Sequence, residues 1–88
     1  PGNFALFQNF PNPFNHQTKI RFSLPQRSDT KMLIYDIQGR LQKELINNQL
    51  EAGQHEVIFN AESLASGVYF VYLATSYATS TSSMHFIK

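Results

Sequence analysis

The sequence has no cysteine, few charges and few glycines, and each shortage excludes a class of protein. Without cysteine, neither a disulfide framework nor a thiolate metal site can form. Charged residues make up only 15% and the formal net charge is +1, so nothing favours binding to nucleic acid or anionic lipid. Four dispersed glycines are too few for a phosphate-cradling loop. No apolar run approaches the roughly 18 residues of a membrane-spanning helix.

The sequence also lacks the residue patterns of known catalytic and metal sites. The three histidines, His16, His55 and His85, lie far apart, and no Cys–His cluster or i, i+4 histidine pair suits zinc. The Gly-x-Ser-x-Gly pattern of a nucleophile elbow is absent, and the six carboxylates are scattered. We therefore predict a protein that is not an enzyme, with no catalytic residue, no metal site and no cofactor.

The chain is long enough for one small domain and too short for two, at 88 residues. Its apolar surface is concentrated in aromatics, with eight Phe and four Tyr. We predict a single domain over residues 1–88, in which residues 1–7 form a lead-in or edge strand. Because the chain starts at Pro1 without an initiator methionine, we expect it to be a piece of a longer secreted protein.

Short apolar stretches alternate with polar residues between turn signals. Ile20, Phe22 and Leu24 follow this period-2 pattern, and Val57 and Phe59 follow it with His55 at the rim of their face. The longest apolar run, residues 68–74, predicts a strand covered on both faces. Six strands and the lead-in predict an all-β antiparallel sandwich of about seven short strands. The predicted core includes Phe14, Phe22, Ile34, Val57, Phe59, Tyr69 and Val71.

A tight turn lies at the centre of the chain. Asp36 suits position i of a type I turn, and Gly39 suits position i+3 in a left-handed conformation. We interpret Asp36 as a structural residue that accepts hydrogen bonds from the amides of the turn. The return strand is predicted to end near Ile46, with a connection over residues 47–53. Residues 75–83 are predicted to form a hairpin loop with its flanks, and the last strand to span residues 83–88.

A second local feature makes the sandwich immunoglobulin-like. Gly67 and Tyr69 place a tyrosine just after a corner and two residues before the inward position of Val71. This arrangement resembles the tyrosine corner of immunoglobulin domains. We therefore predict structural roles for Gly67 and Tyr69.

Residues 8–15 hold two prolines and three asparagines, which excludes a helix or a central strand. Because exposed phenylalanines would be costly, Phe10 and Phe14 are predicted to plug the end of the core from a rigid loop. A ligand-binding loop, or a calcium site built from asparagine oxygens, is the alternative.

Several motifs occur together in one order along the chain. They are Gln8-Asn9-Phe10-Pro11-Asn12-Pro13-Phe14-Asn15, Ile20–Pro25, Ile34–Arg40, Ala52-Gly53, Ser66–Phe70 and the terminal Lys88. Together they resemble the type A C-terminal sorting domain of the type IX (Por) secretion system, from about Leu6 to Lys88. The resemblance implies an immunoglobulin-like sandwich at the C-terminus of exported proteins of Gram-negative bacteria.

The same resemblance implies a function and its partners. We expect a non-catalytic module that the type IX outer-membrane translocon recognises, so that an upstream cargo domain is secreted or attached to the cell surface by associated machinery. The recognition residues implied are Asn9, Pro11, Asn12, Pro13, Phe14, Met84, His85, Phe86, Ile87 and Lys88. Two alternatives stay open: a spacer or stability module of an extracellular enzyme, and a carbohydrate-binding module, which the lack of tryptophan disfavours.

Overall fold

Seven strands account for the regular structure of residues 3–88, the part of the chain that the computed structural model describes. The predicted lead-in includes residues 1–2, which lie outside the described residues. The strands are β1 (Ala5–Leu6), β2 (Gln17–Leu24), β3 (Ser28–Asp36), β4 (Leu41–Leu50), β5 (Gly53–Asn60), β6 (Gly67–Ala74) and β7 (Thr79–Phe86). No helix among these residues is long and apolar enough to cross a membrane.

The strands form two antiparallel sheets that pack face to face. One sheet has the order β1-β2-β5, and the other has the order β4-β3-β6-β7. This arrangement confirms the predicted immunoglobulin-like sandwich of seven strands, including the short lead-in strand at a sheet edge. It leaves β7, the last strand of the chain, at the edge of the four-stranded sheet.

The core between the sheets is largely the predicted one. Alternate residues of β2 and β6 point inward, as period-2 patterning requires, and bury Phe22 and Val71 almost completely. Val57 is half-buried and packs against the core. The ring of His55 stacks on that of Phe22 at the rim of the core, with ring centroids 5.3 Å apart. The other predicted core residues are buried: Phe14, Ile34, Phe59 and Tyr69.

The central turn and the corner are both confirmed. Gly39 has φ of +82°, and its N–H donates to the carbonyl of Asp36 at 3.0 Å, which closes the turn between β3 and β4. Tyr69 donates its hydroxyl to the carbonyl of Ala65 at 2.6 Å, which is the bond expected of a tyrosine corner. Gly67 precedes it with φ of +153°.

Two strands are longer than predicted. β4 continues through Asn47 and Gln49 to Leu50. The backbone groups of this polar stretch pair with β3, although the strand propensity of its residues is low. β7 spans Thr79–Phe86, so the hairpin loop is confined to residues 75–78, while Ile87 and Lys88, which were predicted to belong to the strand, lie beyond its end. In both strands the sequence underestimates how far pairing with the preceding strand of the hairpin extends.

Two predictions about burial are wrong. Phe10 does not plug the core, since it is 76% exposed. Its backbone pairs with Lys19, and because paired residues share one face of a sheet, the ring lies outside with the exposed Lys19 side chain. The outer face of β6 is only half-buried, because no second layer covers Phe70 and Tyr72 among the described residues.

Candidate functional site

The proline-rich segment, residues 8–15, connects the two sheets along one side of the sandwich. At its start, the N–H and carbonyl of Phe10 bond those of Lys19 in β2, both at 3.0 Å. At its end, Phe14 forms a parallel bridge with Phe86 in β7. The segment therefore brings the two predicted recognition elements, the loop and the last strand, into direct contact.

Backbone bonds fix this contact in register. The N–H of Phe14 donates to the carbonyl of His85 at 3.0 Å, and the N–H of Ile87 donates to the carbonyl of Phe14 at 2.8 Å. The side chain of Asn12 accepts a bond from the N–H of His85 at 2.9 Å. The phenyl rings of Phe14 and Phe86 stack with centroids 5.2 Å apart, so side-chain packing reinforces the ladder.

The loop is held in shape from within. Asn9 is buried, and its Nδ2 donates to the carbonyl of Pro11 at 3.1 Å and to Oγ1 of Thr18 at 3.0 Å. The hydroxyl of Thr18 donates to the same Pro11 carbonyl at 2.8 Å. Both X-Pro bonds, Phe10–Pro11 and Asn12–Pro13, are cis. A buried and fully bonded polar cluster is typical of a rigid loop.

Two of the three asparagine side-chain oxygens of the loop, those of Asn9 and Asn12, already accept hydrogen bonds. Asn9 Oδ1 accepts from Gln8 at 2.7 Å, and Asn12 Oδ1 accepts from His85. No group of three or more His, Asp or Glu side chains among residues 3–88 could hold a metal ion. These observations favour the rigid-loop interpretation over a calcium site.

The end of the chain is anchored on the opposite side by the tyrosine corner. The N–H of Lys88 donates to Oγ of Ser66 at 2.9 Å, and its Nζ donates to the carbonyl of Leu64 at 3.1 Å. Leu64 and Ser66 flank Ala65, the residue whose carbonyl binds Tyr69. The corner thus positions the residues that hold Lys88.

Burial divides the predicted recognition residues into two groups. The first group is buried and supports the site from behind: Asn9, Phe14, Met84 and Phe86. The second is exposed to solvent: Pro11, Asn12, Pro13, His85, Ile87 and Lys88. We call this second group the composite surface. A shallow groove of about 410 Å³, lined by Pro11, Pro13, Phe14, Asn15 and Ile87, runs across it.

The central turn lowers the pKa of the Asp36 carboxyl. Asp36 accepts bonds from the backbone N–H groups of Arg40 and Gln38 and from the Arg40 guanidinium, each at 2.9 Å. The Arg40 backbone bond is the main cause that holds the pKa of Asp36 below its usual value, against an opposing effect of desolvation. These hydrogen bonds stabilise the turn, in agreement with the structural role predicted for Asp36.

Sequence reasoning missed Gln8 within the loop and the residues that support the site from other strands and loops, namely Thr18, Leu64 and Ser66. Thr18 did carry a signal, because it continues the inward positions of Ile20 and Phe22 on β2. A polar residue there indicates a buried hydrogen-bond partner. Ser66 and Leu64 act through Lys88, more than 20 positions away, and no local pattern reveals that contact.

Comparison with known proteins identifies the family of the domain. A family model described as a secretion system C-terminal sorting domain matches residues 8–88, which include both the proline-rich segment and the last strand. No curated protein sequence matches the chain. Since the family model covers nearly the whole chain, the protein belongs to the C-terminal sorting domains of the type IX secretion system.

Proposed function

We propose that this domain is recognised by the type IX outer-membrane translocon and carries an upstream cargo domain of the same chain out of the cell. It acts without catalysis and without a cofactor. After translocation, associated machinery releases the cargo or attaches it to the cell surface of a Gram-negative bacterium. Membership of the sorting-domain family supports this function, and the composite surface supports the manner of recognition.

The observation that carries the proposal is the joining of the loop to the last strand. Four hydrogen bonds link them: two belong to the Phe14–Phe86 bridge, one is donated by the His85 N–H to Asn12, and one is donated by Gln8 to the Ser83 carbonyl. A translocon therefore meets a folded surface rather than a loose peptide. Because the rings of Pro11 and Pro13 are already rigid, binding to them costs little conformational entropy.

Each predicted recognition residue takes one of two roles in this proposal. The composite surface makes contact with the translocon, and Ile87, which is 48% exposed, supplies its apolar centre. Asn9, Phe14, Met84 and Phe86 hold those contacts in place. Asp36, Gly39, Gly67 and Tyr69 stabilise the sandwich that carries the surface.

The test is export of a periplasmic reporter fused in front of this domain, in a host with the type IX machinery. We expect the parent fusion to reach the medium or the cell surface, and Ile87→Ser to reduce export with little change in thermal stability. The matched control is Ile58→Ser on β5, because Ile58 is 46% exposed but lies in the other sheet. Equal export of the two variants would contradict the composite surface.

A spacer or stability module is the second candidate, favoured by the half-buried outer face of β6. Phe70 and Tyr72 there could pack on an adjoining domain. The carbohydrate alternative receives less support, because the rings of Tyr35 and Tyr72 on that face meet at 70° and form no flat row. A parent fusion that stays in the periplasm, while the reporter melts at a higher temperature, would support the spacer function.

A further inference from the structure

β7 lies at the edge of the four-stranded sheet, and its outer backbone groups alternate along the strand. His85 directs both its N–H and its carbonyl outward, to Asn12 and Phe14. In an antiparallel ladder every second residue directs its N–H and carbonyl away from the paired strand. The backbone groups that point outward with those of His85 are therefore those of Ser83, Thr81 and Thr79. The proline-rich segment covers this edge only as far as Ser83, whose carbonyl accepts from Gln8.

The other half of the edge has no backbone hydrogen-bond partner among residues 3–88. Within residues 3–88, the outer backbone groups of Thr79 and Thr81 take part in no backbone–backbone hydrogen bond, since β6 is the strand paired with β7 at these positions. Thr79, Thr81 and Ser83 are all exposed. β1 runs close by, but its register partners lie in β2.

The remaining sheet edges of the described chain carry features that block strand pairing. β4 has two register shifts against β3 between Leu41 and Ile46, and Lys43 reaches across to the Asn60 carbonyl of β5 at 2.8 Å, which interrupts that half of the β4 edge and the end of the β5 edge. β1 is two residues long and is followed by Pro11 and Pro13. Residues 79–83 have no bulge, no proline and no charge.

We propose that the edge of β7 from Thr79 to Ser83 is a strand-addition site for an extended segment of the translocon. This inference rests on the proposed function and names the contact by which the partner binds beside the composite surface. The short hydroxyl side chains let another backbone approach, and main-chain bonds supply the affinity. The added strand pairs with five residues, a length of about 17 Å, and ends where Gln8 binds Ser83.

The existing bridge shows that this strand accepts a neighbour. Phe14 already pairs with Phe86 on the same edge, three residues beyond Ser83. A partner strand over residues 79–83 would continue that line of pairing. One extended segment could then contact Thr79, Thr81 and the composite surface together.

The test uses Thr81→Pro in the reporter fusion. Proline removes the outward N–H of Thr81 and leaves the β6 ladder intact, because proline is tolerated where the N–H of an edge strand faces solvent. We expect export to fall about tenfold, the effect of ~1.4 kcal/mol. The matched control is Thr81→Val, which keeps the N–H and should export like the parent.

The outcomes separate this inference from the proposed function. If the parent and Thr81→Val are exported and a folded Thr81→Pro is exported equally well, strand addition is wrong and the sorting function stands. If the parent itself is not exported, the sorting function fails. Should Thr81→Pro melt much earlier than the parent, Thr81→Lys decides, because an exposed edge lysine opposes pairing without disturbing the core. Unchanged export of Thr81→Lys would then overturn strand addition.

Discussion

Phe14 stacks on Phe86 at 5.2 Å between ring centroids, although 71 residues separate them in the chain (positions 15 to 85). The pair lies at the junction of the proline-rich segment and β7, where the two backbones also exchange hydrogen bonds. A third ring, Phe59 of the opposite sheet, meets Phe14 edge-on at 6.1 Å. Packing in this cluster therefore ties the loop to both sheets.

Truncation of Phe14 should be costly, whereas truncation of its exposed counterpart should not. We expect Phe14→Ala to lower the free energy of unfolding by about 3–5 kcal/mol, since Phe14 is 3% exposed and its loss leaves a cavity. Phe10→Ala, at the other end of the loop, should change it by less than about 0.5 kcal/mol. Urea denaturation of both variants measures the difference. Similar midpoints for the two would contradict the assigned burial.

Gly39 should resist replacement for conformational reasons alone. Its φ is +82°, and a Cβ built there meets no atom within 4 Å, so a larger residue suffers backbone strain rather than a clash. We expect Gly39→Val to cost about 1–3 kcal/mol. Gly39→Asn should cost less, because asparagine tolerates positive φ better. A valine variant as stable as the asparagine variant in chemical denaturation would disprove the strain.

The buried pair Asn9 and Thr18 should be energetically coupled. Their side chains bond each other at 3.0 Å and share the Pro11 carbonyl. Each of Asn9→Ala and Thr18→Val should destabilise the fold by about 1–3 kcal/mol, because each leaves a buried polar group without its partner. A double-mutant cycle should give a coupling of about 0.5–3 kcal/mol. Strictly additive effects would show that the two side chains act independently.

Because of Asp36, the free energy of unfolding should depend on pH in the acid range. Its pKa is lower in the folded state, so the unfolded state binds more protons as the pH falls. The contribution of Asp36 is complete above its unfolded pKa and is lost as the pH falls through the folded pKa. Denaturation midpoints of parent and Asp36→Asn should therefore converge in acid. A constant difference between them down to the lowest pH would count against the prediction.

Metal ions and nucleotides should not stabilise the domain. Zinc, calcium or a nucleotide bound at 100 times its dissociation constant would add about 2.7 kcal/mol, enough to raise the melting temperature visibly. Because the side-chain oxygens of Asn9 and Asn12 are engaged internally, and no cluster of His, Asp or Glu side chains among residues 3–88 suits a metal, we expect no change in thermal melts with added ligand. A dose-dependent increase with any of the three would reopen the search for a site.

Local patterns predicted the parts of the fold that depend on near neighbours. The alternation in β2, the turn between Asp36 and Gly39 and the corner at Tyr69 all follow from residues a few positions apart. The direction of Phe10 depends instead on its pairing with Lys19, and the polar end of β4 depends on β3. Neither pairing leaves a signal in the segment concerned.

The candidate site was predictable as two separate segments but not as one surface. The prolines and asparagines marked the loop, and the family motifs marked the last strand. Their union depends on the Phe14–Phe86 bridge and on the Lys88 contacts with Leu64 and Ser66, all long-range. Period and composition carry no information about such contacts, so the division into contacting and supporting residues required coordinates.

The bridge between Phe14 and Phe86 also has a consequence for the order of events during synthesis. A ribosome makes residues 8–15 early in the domain, but their hydrogen-bond partners at His85 and Ile87 come almost last. A chain interrupted anywhere between them cannot display the composite surface. The composite surface therefore exists only once the domain has been made through its last strand and has folded, so a translocon that recognises this surface, as proposed above, would accept only completed domains.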